Sequence, residues 1–441
     1  MVANSPPTMS PVQPVGIGGL RWRRWPLYAI GILIASTPIG LQVVPGIPLS
    51  FKVVQVASLA VIAATVVGRT LSGLVPLQIA GTNSWTVALL GSALLSSMWA
   101  VNASVTNRTL ILYVIAVLLA IAIASGLKEI ADIRAACCLL AVVGGAVCLQ
   151  GVLASGIPKA EFGAQVVVNR SLGIFSQPNE FGSFSDLIFI IALSQAVHCR
   201  RWWSRSLLGT SCVAAAAALF LSLSRGAFIG AALGLVFLMA LDPRVRRFLH
   251  VVLPVAIPLA ALVIPTASTS STLGVLRARV ATIASSAAGP QDERPAIWRE
   301  ALRQFDQSPI VGVGPGDYPY AALTEPNPEF TVLPDVASPT PELFARGPYH
   351  AHNLFLTTAA ETGLIGLLAL LGLATSLSLS TLVRIRARMN AATHFVSSGL
   401  LAALATVAGQ GLVDDVYRNA LLLMLVWLVI GLLIAANAAD E

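Results

Sequence analysis

The sequence predicts an all-α polytopic membrane protein. Of its 441 residues 56% are hydrophobic and only 11% are charged. Mean hydropathy is +0.81, and the apolar residues gather into runs of membrane-spanning length. A soluble domain would carry about a quarter charged residues and would set polar groups between its apolar stripes, so that class is excluded. At ~20 apolar residues per span, most of the length is accounted for as transmembrane helix. A β-barrel is excluded as well, because its spans are short and alternate apolar with polar.

Residues 1–20 are rich in Pro, Ser, Thr and Gly and read as a disordered cytoplasmic tail. The basic cluster Arg21, Arg23 and Arg24 then leads into a first span that reads as a signal anchor rather than a cleaved peptide. Apolar runs follow at 27–46, 51–68, 73–100, 109–127, 131–155, 180–198, 206–223, 226–242, 248–266, 353–382, 394–413 and 419–437. That is about twelve spans, with both ends of the chain on one side. The 73–100 run contains Thr82-Asn83-Ser84 and has room for one span plus a re-entrant piece. The organisation is therefore a tail (1–20), spans one to nine (21–266), one long loop (267–352) and spans ten to twelve (353–441). No internal repeat is visible.

Net charge is +7. Lys52, Lys128 and Lys159 are the lysines, and the other 24 of the 27 basic residues are arginine. Nucleic acid is not the expected partner. In a membrane protein such a bias first reports topology, because cytoplasmic loops collect Lys and Arg. With the N-terminus inside, 15 basic residues fall in inside connections. The short outside connections hold six: Lys52, Arg108, Lys159, Arg170, Arg225 and Arg418. The six others sit in the long loop, which the rule governs poorly. The five cysteines lie in or beside apolar runs, so neither a disulfide framework nor a metal cluster is expected from them.

The long loop is predicted to lie outside, and a loop of this length is usually functional. It holds one helical pattern, 295–306, with Pro295 in the first turn and acids before it. Ile297, Trp298, Ala301, Leu302 and Phe305 would form its apolar face, for the bilayer surface or for closing a cavity. The Pro-rich 325–348 reads as irregular. Gly312-Val313-Gly314-Pro315-Gly316 has no following Lys-Ser/Thr and reads as a turn, not a phosphate loop.

Polar residues gather on the outside face. The stretch from Asn169 to Glu180, with Arg170 and Asn179, enters the sixth span. Leu223-Ser224-Arg225-Gly226-Ala227 separates spans seven and eight where positive charge is not expected. Arg225 either snorkels to lipid phosphates or marks a functional site near the apolar core. A guanidinium there suits a phosphate oxyanion. His350-Ala351-His352-Asn353 closes the loop and opens span ten, with Glu361 about two turns further on. Imidazole at this place suits a general base. Zinc would need further ligands, and neither HExxH nor nearby Cys supplies them. Asn353 also suits a helix N-cap. Asp414, Asp415 and Arg418 read as a local ion pair, with a place in the cavity as the alternative. His198, His250 and His394 fall near inside span ends and read as non-catalytic.

The order of SLGIFSQPNEFG, LSLSRGAFIG, ERPAIWREAL…SPIVGVGPGDY and HAHNLFLTTAAETGLIGLL is similar to the O-antigen ligase-like membrane proteins. The likeness covers roughly 165–370, and the first spans match only in hydropathy. The resemblance implies a GT-C-type glycosyltransferase, metal-independent and without a cofactor, in the bacterial inner membrane with its site facing the periplasm. It implies an undecaprenyl pyrophosphate-linked glycan as donor and lipid A-core as acceptor. His352 or His350 would then be the base. Arg225, Arg170 and Arg294 would bind pyrophosphate, with Asn353, Glu361, Asn179 and Trp298 in support. An O-antigen polymerase and a protein O-oligosaccharyltransferase are rivals on the same scaffold. A lipid-linked glycan transporter is a rival from another class, for which repeats and broken helices are the signature.

Overall fold

The computed structural model describes residues 22, 24–45, 51–78, 84–154, 159–161, 165–167, 170–266, 294–324, 350–387 and 390–439, with side chains left aside at 159–167, 255–266 and 323–324. The tail, Thr82-Asn83 and the Pro-rich 325–348 lie outside the described residues.

Each of the twelve apolar runs meets one helix. These are α1 (Trp25–Ala35), α2 (Val53–Leu71), α3 (Ser84–Ser96), α4 (Ala103–Gly126), α5 (Ile130–Leu153), α6 (Pro178–His198), α7 (Trp202–Ser222), α8 (Arg225–Leu241) and α9 (Pro243–Thr266). Two loop helices follow, α10 (Arg294–Gln307) and α11 (Tyr318–Thr324), and then α12 (Leu354–Arg386), α13 (Ala391–Gly411) and α14 (Ala420–Ala438). Among the described residues eight helices are long and apolar enough to cross a membrane: α2, α4, α5, α6, α7, α12, α13 and α14. The protein is therefore a polytopic helical membrane protein. Three of the runs shorten. The 11 residues of α1 and the 13 of α3 reach only ~16–20 Å at ~1.5 Å per residue, and each passes into a 3₁₀ turn. The 17 residues of α8 span ~25 Å.

One element goes beyond the all-helical expectation. Lys159–Glu161 pairs antiparallel with Gln165–Val167 in the connection from α5 to α6. Strands of three residues are too short for an alternating pattern to announce them.

Helices α6 and α14 form the interior. Their apolar windows are 83% and 89% buried, the condition of a helix that is apolar all round. Helix α6 packs on α5, α7, α8 and α13, while α14 packs on α4 and α13. Small residues let the backbones approach. A Cβ at Gly230 would press on the Thr406 backbone of α13, and one at Gly182 would press on Ser222, Ser224 and Ala227. The SQPNEFG and LSLSRGA motifs thus meet through Gly182.

Candidate active site

The site is assembled at one end of the bundle from six pieces of chain. Its frame begins with the tight connection between α7 and α8. Leu223 turns the chain in the left-handed region, φ 52°, where a side chain with a Cβ is uncommon. Ser224 then caps α8 by accepting from the Ala227 N–H. This sets Arg225 at the first position of α8, where backbone N–H groups and the helix dipole already favour an anion. A Cβ on the next residue, Gly226, would stand 3.1 Å from Val413 and 3.9 Å from the Asp414 Cβ. The SRGA turn therefore lies against the connection between α13 and α14.

Asp414 is the hub. It is buried. Its Oδ1 lies 2.9 Å from His352 Nδ1, and its Oδ2 accepts from Asn179 Nδ2 at 2.7 Å. The Asn179 Oδ1 in turn accepts from Arg170 Nη2 at 3.2 Å. Arg170 also donates through Nε to the Ser222 carbonyl, 3.0 Å, at the C-terminus of α7, where a cation complements the dipole. Arg170, Asn179, Asp414 and His352 thus form one hydrogen-bonded chain. Burial would raise the Asp414 carboxyl. The hydrogen bond and charge of His352, with His350 and Arg294 nearby, instead bring it down to about 2.

The two histidines differ. His350 is buried, and its Nδ1 accepts from the His352 backbone N–H at 3.0 Å. Its Nδ1 is thereby the acceptor, so the neutral ring carries its proton on Nε2. Burial, then the charges of His352 and Arg418, hold its pKa well below the usual value, with Asp414 opposing. His350 is a neutral ring at pH 7. His352 is 31% exposed at its side chain and sits at φ 46°. Its Nδ1 is committed to Asp414, whereas its Nε2 has no hydrogen-bond partner among the described residues. The rings meet edge to face, centroids 4.4 Å apart. Asn353 caps α12, accepting from Phe355 and Leu356 N–H, and donates to the Leu412 carbonyl at 2.8 Å. Its N-cap reading is the one the geometry carries.

Glu361 anchors the loop. Helix α12 breaks at Gly363, φ 65° and ψ −165°. The chain from Pro309 to Gly314 fills the break: Leu364 N–H donates to the Pro309 carbonyl, and Val313 and Gly314 N–H donate to the Ala360 and Glu361 carbonyls. Freed backbone groups inside a membrane protein need such partners. Gly312 and Gly363 approach so closely that a Cβ on either would overlap the opposing backbone. The glycine turn then cradles a carboxylate instead of a phosphate, because Gly316 and Tyr318 N–H donate to Glu361 Oε2 and Oε1. Arg418 Nη2 bonds Glu361 Oε1 as well.

Helix α10 confirms the loop pattern but rotates its face. Ile297 and Ala301 join Tyr318, Ala351 and Ala360 in a small core over the histidine turn. Glu300 and Gln304 are buried beside them, while Leu302 is 49% exposed. A buried acid is tolerated here because Arg303 pairs with Glu300 through Nε and Nη2 and Gln304 Nε2 donates to it. Arg294 opens the helix and acts on Asp414 through its charge. The Trp298 indole N–H is buried and meets no acceptor among the described residues.

The local ion-pair expectation holds only for Asp415 and Arg418, with Nε and Oδ2 3.7 Å apart. Asp414 instead completes the histidine site. It also supplies the third ligand that zinc was expected to lack, since ligand atoms of His350, His352 and Asp414 lie within 4.8 Å of one another. Asp317 is a further buried acid, its carboxylate accepting from Asn102 N–H. Burial and the nearby Glu361 raise it to about 6, against the hydrogen bond from Asn102. Behind the polar groups an apolar cavity of about 160 Å³ runs between α3, α4, α12 and α14, from Glu361, Asp415 and Arg418 down to Trp427 and Ile430.

Residues 210–371 match the family model described as O-antigen ligase. Over this segment the chain is similar to O-antigen ligases. The segment carries Arg225, Arg294, His350, His352, Asn353 and Glu361. Arg170 and Asn179 lie before it, and Asp414 and Arg418 lie after it. No curated protein matches the chain.

Proposed function

We propose that the protein is an O-antigen ligase, an inverting and metal-independent glycosyltransferase of the GT-C type. In this reading the twelve apolar runs carry the chain across the bacterial inner membrane, α1 and α3 being continued by their 3₁₀ turns, the site faces the periplasm, and residues 267–352 are its outer loop. The donor is a glycan on undecaprenyl pyrophosphate and the acceptor is a sugar of lipid A-core. The observation that carries the reading is the orientation of His352. Asp414 holds Nδ1 and leaves Nε2 uncommitted, and the turn that opens α8 at Arg225 packs against the Asp414 connection through Gly226.

The acceptor hydroxyl gives its proton to His352 Nε2 while its oxygen bonds the donor's anomeric carbon. The bond from that carbon to the pyrophosphate oxygen breaks, and the electron pair leaves with the pyrophosphate. Arg225, helped by Arg170 and Arg294, stabilises this charge. Asp414 supports the imidazolium that forms. Neutral His350 positions His352 through the backbone hydrogen bond, and Asn353, Asn179, Glu361 and Trp298 hold the frame. The apolar cavity beside Arg418 suits part of a prenyl chain.

A metal-assisted reading is favoured by one observation, the proximity of the His350, His352 and Asp414 ligand atoms. Against it, both Nδ1 atoms are engaged within the cluster, one with Asp414 and one with the His352 N–H. Transfer measured with purified lipid-linked donor and lipid A-core acceptor decides the matter. His352→Ala or Arg225→Ala should lower turnover at least about 100-fold while a chelator leaves it unchanged. Inhibition by the chelator would move the reading to metal assistance. A lipopolysaccharide gel from a strain lacking the gene separates the rivals. A ligase defect leaves bare core with accumulating lipid-linked polymer, and a polymerase defect leaves core with one repeat.

A further inference from the structure

A second cavity, of about 190 Å³, lies on the far side of Arg418. Its wall is Phe51, Lys52, Gln55, Arg108, Ile111, Leu112, Arg418 and Ala420. Three of these eight residues are cations and none is an acid. The acids that pair with Arg418, Glu361 and Asp415, line the apolar cavity instead. Neither Lys52 nor Arg108 has a carboxylate partner among the described residues. The cavity opens at the N-terminal ends of α2 and α14, which begin at Val53 and Ala420, so two helix dipoles add positive potential. Its floor, Phe51, Ile111, Leu112 and Ala420, is apolar. Lys52, Arg108 and Arg418 also belong to the short connections of the side that the charge count leaves poor in cations, so topology does not call for three of them together.

We propose that this cavity binds a phosphate-bearing anion, either the headgroup of an anionic phospholipid or free phosphate, between Lys52, Arg108 and Arg418. Arg108 matches phosphate oxygens in fork geometry, Lys52 and Arg418 add positive charge, and the apolar floor takes the carbons next to the phosphate. Arg418 joins this anion to the site, because it bonds Glu361 and its charge reaches His350. The inference rests on the charge and shape of the cavity and does not depend on the transfer reaction.

The test uses the full chain in non-ionic detergent, with binding read by native mass spectrometry and by thermal shift. The probes are dioctanoylphosphatidylglycerol, dioctanoylphosphatidylcholine and inorganic phosphate. The phosphatidylglycerol should bind and the neutral choline lipid should not. Lys52→Gln and Arg108→Gln should each weaken binding about fivefold, and together about twenty-five-fold. An Arg246→Gln/Arg247→Gln control at the opposite end of the bundle should stay within about twofold. Competition by inorganic phosphate would show that free phosphate suffices, and lack of competition would assign the site to lipid headgroups. Either result supports a phosphoanion site. Binding unchanged in the double variant, or lost equally in the control, overturns it. Arg108 is exposed, so its single variant keeps the test valid if the double variant fails to fold.

Discussion

Among the described residues two histidine–aspartate pairs stand one at each end of the bundle, and they differ in what they leave open. At the end away from the site, His198 Nε2 lies 2.7 Å from Asp242 Oδ2. Its other ring nitrogen meets Arg244 Nη1 at 3.3 Å. The ring stacks flat on Phe395, centroids 4.2 Å apart, and the Arg134 guanidinium lies 5.0 Å from the centre of the same Phe395 ring. Asp242 also caps α9, accepting from Arg244 and Val245 N–H. Every polar atom of that pair is spent, and the His198 side chain is 8% exposed. His352 has the same kind of partner but keeps one nitrogen open and is 31% exposed. Pairing alone therefore does not mark a base. In the proposed reading, what separates a latch from a base is whether the second nitrogen is left for a substrate.

The largest expected effect breaks the comparison directly. His352→Ala should lower kcat of transfer by about 10²–10⁴-fold, whereas His198→Ala should leave kcat near normal and lower thermal stability. Equal loss of kcat in both would remove the distinction. Arg225→Ala should lower turnover about 10²–10³-fold, as expected for one fixed donor facing a developing anion. Arg244→Gln, the positive partner of the latch, should not change it.

Asp414→Asn is expected to keep the fold but reduce kcat, because the amide no longer holds the His352 tautomer or supports its cation. Asp242→Asn should instead keep the cap of α9, because Asn caps as well as Asp, and lower stability only through the lost charge beside His198, with kcat unchanged. Both carboxylates are held below their ordinary pKa in the folded protein, against burial, chiefly by the hydrogen bond from histidine. For Asp414 the folded value is about 2, below an unfolded value of about 3.9. Its contribution is complete above pH ~4 and is lost as pH falls toward 2. Acid unfolding curves should show Asp414→Asn losing that window.

The sign reverses at Asp317. Its folded value of about 6 lies above the unfolded one, so the folded state holds the extra proton and stability falls as pH rises from about 4 through 6. Asp317→Asn keeps an acceptor for Asn102 N–H and should flatten that decline in a pH series of melting temperatures. The smallest effect belongs to Arg244→Gln on stability, within about 1 kcal/mol for a partly exposed partner.

Much of the site was legible because its motifs are local. His350, His352 and Asn353 are consecutive or nearly so, and Ser224, Arg225 and Gly226 fit the requirements of a tight helix-to-helix turn. Asp414 was not legible as the hub, since it joins His352 across 62 residues and Asn179 across 235, and its neighbour Arg418 offered a nearer partner. The glycine turn was legible as a turn but not as a cradle, since the anion it receives, the Glu361 carboxylate, comes from 45 residues on. The apolar face of α10 was misplaced in part because a helical pattern counts Glu300 as polar and cannot see that Arg303, Gln304 and the packing around them make its burial tolerable.

By itself the sequence determined the membrane class, the twelve apolar runs, the expected sides of the connections and the short polar motifs. These follow from sums over neighbouring residues: hydropathy, charge counts and turn chemistry are all local. Only the tertiary structure decided which histidine of the loop keeps a nitrogen open to accept a proton, where α12 breaks and which cations share a cavity. Each of those depends on hydrogen bonds and close approaches between residues far apart in the chain, and their energies exist only once the helices have packed.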